Sequence, residues 1–125
     1  MALSVDRGAV LAGARLAVIV AVPAIVLGEA LGSAGAAIPL YLVILGGLCA
    51  GGRLAALRQP ESPLTHGALA AIAAYVTLVV AIILIQLALG REVADPVALV
   101  FNGLMAASAG MFGGYLAAWQ AGRAT

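Results

Sequence analysis

Four apolar stretches dominate this chain, at 9–31, 38–57, 65–89 and 96–120, and three formally charged side chains, Arg15, Glu29 and Arg53, fall inside them. Each stretch has the roughly 20 residues that a helix needs to cross a hydrocarbon core of about 30 Å. Backbone in lipid must satisfy its own hydrogen bonds, so stretches of this length predict helices and exclude open strands or loops. With 65% hydrophobic and 9% charged residues, the chain lies far from the roughly 25% charge of soluble domains. The expected fold is all-α and integral to the membrane, a single domain of four transmembrane helices. Net charge of +1 without a Lys/Arg cluster argues against a polybasic nucleic-acid or lipid-headgroup binder.

The breaks between spans carry turn chemistry. "GSAGAA", "RQPESPLTH" and "GREVADP" separate them in order. Pro39 and Pro96 are expected in first turns, where a missing N–H costs little, with Asp95 capping the fourth helix. Pro23 falls mid-span and predicts a kink in the first helix, because it removes one backbone bond and crowds the preceding turn. The "A-x-A" at Ala12–Ala14 precedes the main apolar run, so the first helix is expected to stay rather than be cleaved as a signal peptide.

Arginines set the orientation. Arg7, Arg15, Arg53, Arg58 and Arg123 fall at one end of the spans and Arg91 alone at the other. The positive-inside bias predicts cytoplasmic termini and a cytoplasmic middle loop. Arg15 is expected to snorkel to the headgroups, and Tyr115 and Trp119 to anchor the inner end of the fourth helix. All six basic residues are Arg, which with abundant Ala and Gly suggests a GC-rich bacterial genome and hence a bacterial inner membrane.

Small residues recur at intervals of four. The first helix has Ala9, Gly13, Ala17 and Ala21; the second Gly47, Gly51 and Ala55, with Gly52 and Ala56 beside them; the third Gly67, Ala71 and Ala74; the fourth Ala106, Gly110, Gly114, Ala118 and Gly122. In lipid such rows let backbones approach closely, so they are expected to be helix-packing faces. The phrase Gly-Gly-x-Leu-Ala-Ala occurs twice, at Gly51–Ala56 and Gly113–Ala118. It reads either as two duplicated helical hairpins related by an axis along the membrane normal, or as a likeness of composition.

The segment "GGLCAGGRLAALRQPESPLTHGALAAIAAY", with the later "AGMFGGYLAA", resembles the YrzE-like group of small bacterial four-helix membrane proteins. The matching positions are Gly46, Gly47, Gly51, Gly52 and Arg53, then His66 and Gly67, then Gly110, Gly113, Gly114 and Tyr115. The middle loop departs from that pattern, being longer here by "QPESP". The resemblance implies the four-helix fold and no activity. Glu29 also invites comparison with small multidrug transporters, but it lies near the end of its span without that family's surrounding motifs.

Chemistry-bearing groups are sparse. The one His, the one Cys and five carboxylates form no catalytic spacing, phosphate-cradling loop or metal cluster, so neither an enzyme nor a cofactor is expected. Cys49 reads as a small buried hydrophobe, and His66 with Glu61 as a solvated loop pair. Glu29, Tyr41, Gln86 and Asn102 supply one polar group per helix at comparable depth in the outer half, and Asn102 stands four residues before Ala106, in line with the small-residue row. Two readings follow: a polar packing cluster, or an ion or substrate site with Glu29 at its centre. The corresponding functions are a scaffold or accessory subunit packing against its own or a partner's transmembrane helices, and a small oligomeric transporter or channel.

Overall fold

The structure, a computed structural model, describes residues 5–32, 34–93 and 95–124, with the backbone alone at 34, 36, 37 and 124. It has four helices, α1 (Arg7–Leu31), α2 (Ala34–Arg58), α3 (Pro63–Ala88) and α4 (Pro96–Ala124), and no strand among the described residues. Each helix is long and apolar enough to cross a membrane.

Local chemistry fixes the ends. Asp6 caps α1, its Oδ1 accepting from Gly8 N at 2.9 Å and Ala9 N at 3.3 Å, so α1 begins two residues before the expected start. Gly32 (φ 58°) ends α1 in the left-handed region, its N–H donating to the Gly28 carbonyl. After α3, Gly90 (φ 67°) plays the same part. Gly90 N bonds Leu87 O and Arg91 N bonds Gln86 O, the paired closure that satisfies terminal carbonyls. Pro63 sits in the first turn of α3, and Asp95 accepts from Val97 N at 3.1 Å to open α4.

Two bounds differ from expectation by four residues each. The helix α2 starts at Ala34, so Pro39 lies inside it rather than in its first turn. The fourth helix runs on to Ala124 instead of stopping near 120, with Arg123 at 4.7 Å over the Trp119 ring one turn back. Pro23 stands within α1, which continues past it to Leu31.

The core is built of backbone and methyl groups. Its buried apolar residues are alanines on all four helices plus only two larger aliphatics, Leu48 and Leu78. Bulky side chains face outward instead: Ile19 is 68% exposed and Val97 75%. That is the pattern expected of helices able to cross a membrane, since in lipid large aliphatics gain nothing by turning inward and close backbone approach supplies the attraction.

The rows of small residues lie where they were expected on α1, α2 and α3: Ala9, Gly13, Ala17, Ala21, Gly47, Gly51, Gly52, Ala55, Ala56, Gly67, Ala71 and Ala74 are all buried. On α4, Ala106, Gly110 and Gly114 are buried, but Ala118 and Gly122 are exposed; Gly113 and Ala117 take the inward places. The reason is geometric. Steps of four advance 40° beyond a full turn of 100° per residue, so a long ladder rotates off the seam unless a step of three intervenes. Here the buried row runs Ala106, Gly110, Gly113/Gly114, Ala117.

Among the described residues, every pair of helices touches except α1 and α4. Thus α2 and α3 lie across the short diagonal of the bundle, with α1 and α4 at the far corners. A two-fold axis along the membrane normal would exchange α1 with α3 and α2 with α4, and would make the α4–α1 seam a copy of the α2–α3 seam. One exists and the other does not, so the layout departs from the duplicated-hairpin arrangement. The repeated phrases show the same break. A Cβ on Gly51 would strike Gly13 of α1 and one on Gly52 would strike Gly110 of α4. A Cβ on Gly113 would instead strike Cys49 and Arg53 of α2, and one on Gly114 would strike Pro63 of α3. Equivalent letters do exchanged jobs.

Candidate functional site

In the half of the bundle away from the α2–α3 loop, the four helices part around a cavity of about 260 Å³. Its walls are mostly aliphatic, from Ile25 of α1 through Ile44, Leu45 and Leu48 of α2 to Leu78, Ile82 and Leu99. Polar groups enter from four side chains, Tyr41, Tyr75, Gln86 and Asn102. Helix register explains their arrival. On α3 the row Ala71, Tyr75, Leu78, Ile82, Gln86 keeps one face by steps of four and three. On α4, Asn102 stands one turn from buried Ala106 and is carried inward with it.

Two of these groups bond each other. The Tyr41 hydroxyl donates to Asn102 Oδ1 at 3.1 Å, joining α2 to α4. Tyr75 donates to the Leu99 carbonyl, joining α3 to α4. Gln86 differs: its Oε1 is buried and has no hydrogen-bond partner. An acceptor left so costs about 1–3 kcal/mol, and in a small bundle each such group calls for a reason.

Of the four residues expected to cluster, Tyr41, Gln86 and Asn102 therefore line one cavity and Glu29 does not. Glu29 is exposed, in the last turn of α1. The buried row of α1 runs Ala17, Ala21, Ala24 and on to half-buried Gly28, which meets Leu40; Glu29 is one residue past it, turned about 100° away. It borders a separate, more polar cleft with Gln86 and Arg91. Depth along the helix was readable from sequence; azimuth decided the matter. Tyr75 was missed, although its place four residues after Ala71 carried the signal.

At the other end of the bundle, His66 overturns its expected role. Rather than a solvated partner of Glu61, it is 0% exposed. The Asp6 backbone N–H donates to its Nε2 at 3.0 Å, and Nδ1 lies 3.0 Å from the Ser62 carbonyl and 2.8 Å from Ser62 Oγ. An N–H donor on Nε2 requires that nitrogen to be bare, so the network assigns a neutral ring with its proton on Nδ1, given to Ser62. Gln59 Nε2 donates to Asp6 Oδ2 at 2.9 Å, closing the knot. The Gln59 hydrogen bond, helped by the Ala9 and Gly8 amides, holds the Asp6 carboxyl below its usual range. This knot ties the start of α1 to the α2–α3 loop. In sequence, His66 precedes Ala70, Ala74 and Leu78 by steps of four, which was the available clue. Cys49 is half-buried, less enclosed than expected.

No family model, curated protein or solved structure matches the chain.

Proposed function

We propose that this is a non-enzymatic membrane protein that binds a small apolar molecule bearing one hydrogen-bond donor, in the cavity bounded by Tyr41, Tyr75, Gln86 and Asn102. The reading places it in a bacterial inner membrane, both termini cytoplasmic, as a relative of the YrzE-like group. One observation carries it: Gln86 lines a mostly aliphatic cavity and, unlike the polar groups of Tyr41, Tyr75 and Asn102, its buried carbonyl oxygen lacks a partner. A donor brought by an occupant would complete that bond once the Gln86 side chain turns the oxygen toward the cavity. The volume of about 260 Å³ exceeds the roughly 150 Å³ that accepts benzene in a dry apolar cavity. Aliphatic walls and the outward Glu29 favour holding such a molecule over conducting an ion.

The test uses 1-naphthol and naphthalene, alike in shape and differing in the hydroxyl donor. Thermal unfolding of the detergent-solubilised protein, followed by helix circular dichroism, reports binding as a rise in Tm. Naphthol should stabilise more than naphthalene, Gln86→Leu should remove the difference, and Ala106→Phe should remove both effects. Equal stabilisation by the two compounds, or a naphthol advantage that survives Gln86→Leu, rejects the reading.

A second reading, an accessory subunit, is favoured by one different observation. Gly46 lies mid-span with no atom within 4 Å of where its Cβ would be, and Ala50, one turn on, is also exposed. Many other small residues are consumed inside the bundle, so this strip of α2 is one face suited to receive a partner's transmembrane helix. Cysteine placed at 50 in a Cys49→Ser background should crosslink to that partner in native membranes, and Gly46→Leu should abolish the adduct. An adduct insensitive to Gly46→Leu counts against this use of the strip.

A further inference from the structure

Between α1 and α2, near the start of one and the end of the other, runs a groove of about 410 Å³ whose lining includes Arg15 and Arg58 and contains no carboxylate. Its remaining walls are apolar, chiefly Leu11, Leu16, Ile19 and Leu54. Arg15 lies eight residues beyond the first residue of α1, about 12 Å along the axis. Side chains on a helix lean toward its N-terminus, which carries the Arg15 guanidinium back toward the end where Arg58 closes α2.

The charge arrangement here differs from that of the neighbouring arginines. Arg53 donates to Gln120 at 2.8 Å and Arg123 stacks over Trp119. Among the described residues, Arg15 and Arg58 have no hydrogen-bond or ion-pair partner. The nearby carboxylate of Asp6 is occupied by Gln59, Gly8 and Ala9. Two like charges therefore open onto one groove whose lining holds no carboxylate, and the groove's other walls have use only for hydrocarbon.

We infer that this groove binds an anionic phospholipid of the adjoining leaflet, its phosphate between Arg15 and Arg58 and one acyl chain along Leu16, Ile19 and Leu54. Guanidinium forks match the non-bridging oxygens of a phosphodiester, and basic pockets between spans are a recurring form of headgroup site. Two cations without a carboxylate select a lipid of net negative charge over a zwitterionic one. The apolar walls select a lipid over free phosphate.

The test is native mass spectrometry of the full chain released from vesicles of equal parts phosphatidylglycerol and phosphatidylcholine. At about 1 kcal/mol for each arginine near the surface, two arginines predict a preference for phosphatidylglycerol of about tenfold or more. R15Q and R58Q, both at exposed positions, should each cut that preference several-fold. R15K/R58K should retain most of it, and R91Q, in the loop between α3 and α4, should leave it unchanged. Equal retention of the two lipids, a preference that survives R15Q and R58Q, or displacement of bound lipid by millimolar inorganic phosphate would each overturn the proposal. The R15K/R58K variant keeps the charge in place, so loss of lipid in the glutamine variants with retention in this one separates a headgroup site from misfolding.

Discussion

At the scale of single residues, glycine identity is decided by what lies beyond the missing Cβ. Gly110 faces the backbone of Gly67 and the Ala71 methyl, whereas Gly46 faces open space. Both are mid-span glycines, and the intervals of four separate them in part, since Gly110 belongs to the row of the fourth helix and Gly46 falls outside that of the second. Gly110→Val is expected to destabilise by about 3 kcal/mol or more, because rigid backbone cannot move aside. Gly46→Val should stay within about 0.5 kcal/mol. Denaturant unfolding in mixed micelles checks both; equal losses would mean the inner seams are not where the bundle is held. Asp6 supplies a second residue-scale expectation. Its folded carboxyl titrates below the unfolded value, held there first by Gln59, so the stability it adds is present above about pH 4 and is lost as pH falls through the folded value. Asp6→Asn should flatten that acid limb of the stability profile and leave the neutral region flat. An unchanged acid limb in Asp6→Asn would show that the carboxylate is not what responds.

At the scale of helices, hydropathy and cap chemistry were legible while pairing was not. The spans, the Asp95 cap and the inward rows of α1 to α3 follow from composition and period, because each depends only on residues near one another in the chain. Which row meets which depends on azimuth and crossing angle, and that is why the twice-written phrase reads as a duplication yet packs as an exchange. The pairing makes an expectation of its own. Gly52 and Gly113 both sit on the α2–α4 seam, each against the other helix's backbone. Gly52→Ala alone or Gly113→Ala alone pushes that seam open; once it is open, the second methyl meets less resistance. The double variant should therefore fall short of additivity by about 0.5 kcal/mol or more. Gly51→Ala with Gly114→Ala touches the α1–α2 and α3–α4 seams separately, and should add within about 0.3–0.5 kcal/mol. Additive behaviour in the first pair would remove the shared seam from the account.

At the scale of the molecule, the two ends of the bundle are built differently. The end bearing Asp6, Gln59, Ser62 and His66 is laced by hydrogen bonds and lined with arginine. The other end holds a cavity whose walls are nearly all hydrocarbon. Candidate-site residues were legible in sequence only as far as their depth: Tyr41, Gln86 and Asn102 converge, but the outward turn of Glu29 and the contribution of Tyr75 required the packed structure. Orientation is the property on which the reading of both ends depends, since the proposed lipid site in the arginine groove would take its occupant from the leaflet adjoining the knot and the cavity lies in the opposite half. Arginine bias predicts the knot on the cytoplasmic side. In a Cys49→Ser background, a cysteine at Pro60 in the α2–α3 loop should react with an impermeant maleimide only after cells are opened. One at Glu92 in the α3–α4 loop should react in intact spheroplasts. Moving the arginine imbalance, by placing three lysines in the α3–α4 loop while replacing Arg7 and Arg58 by Gln, should yield a mixture in which both sites label partly from outside. Full labelling at Pro60 and none at Glu92 in the parent protein would invert the orientation and assign the arginine groove to the outer leaflet.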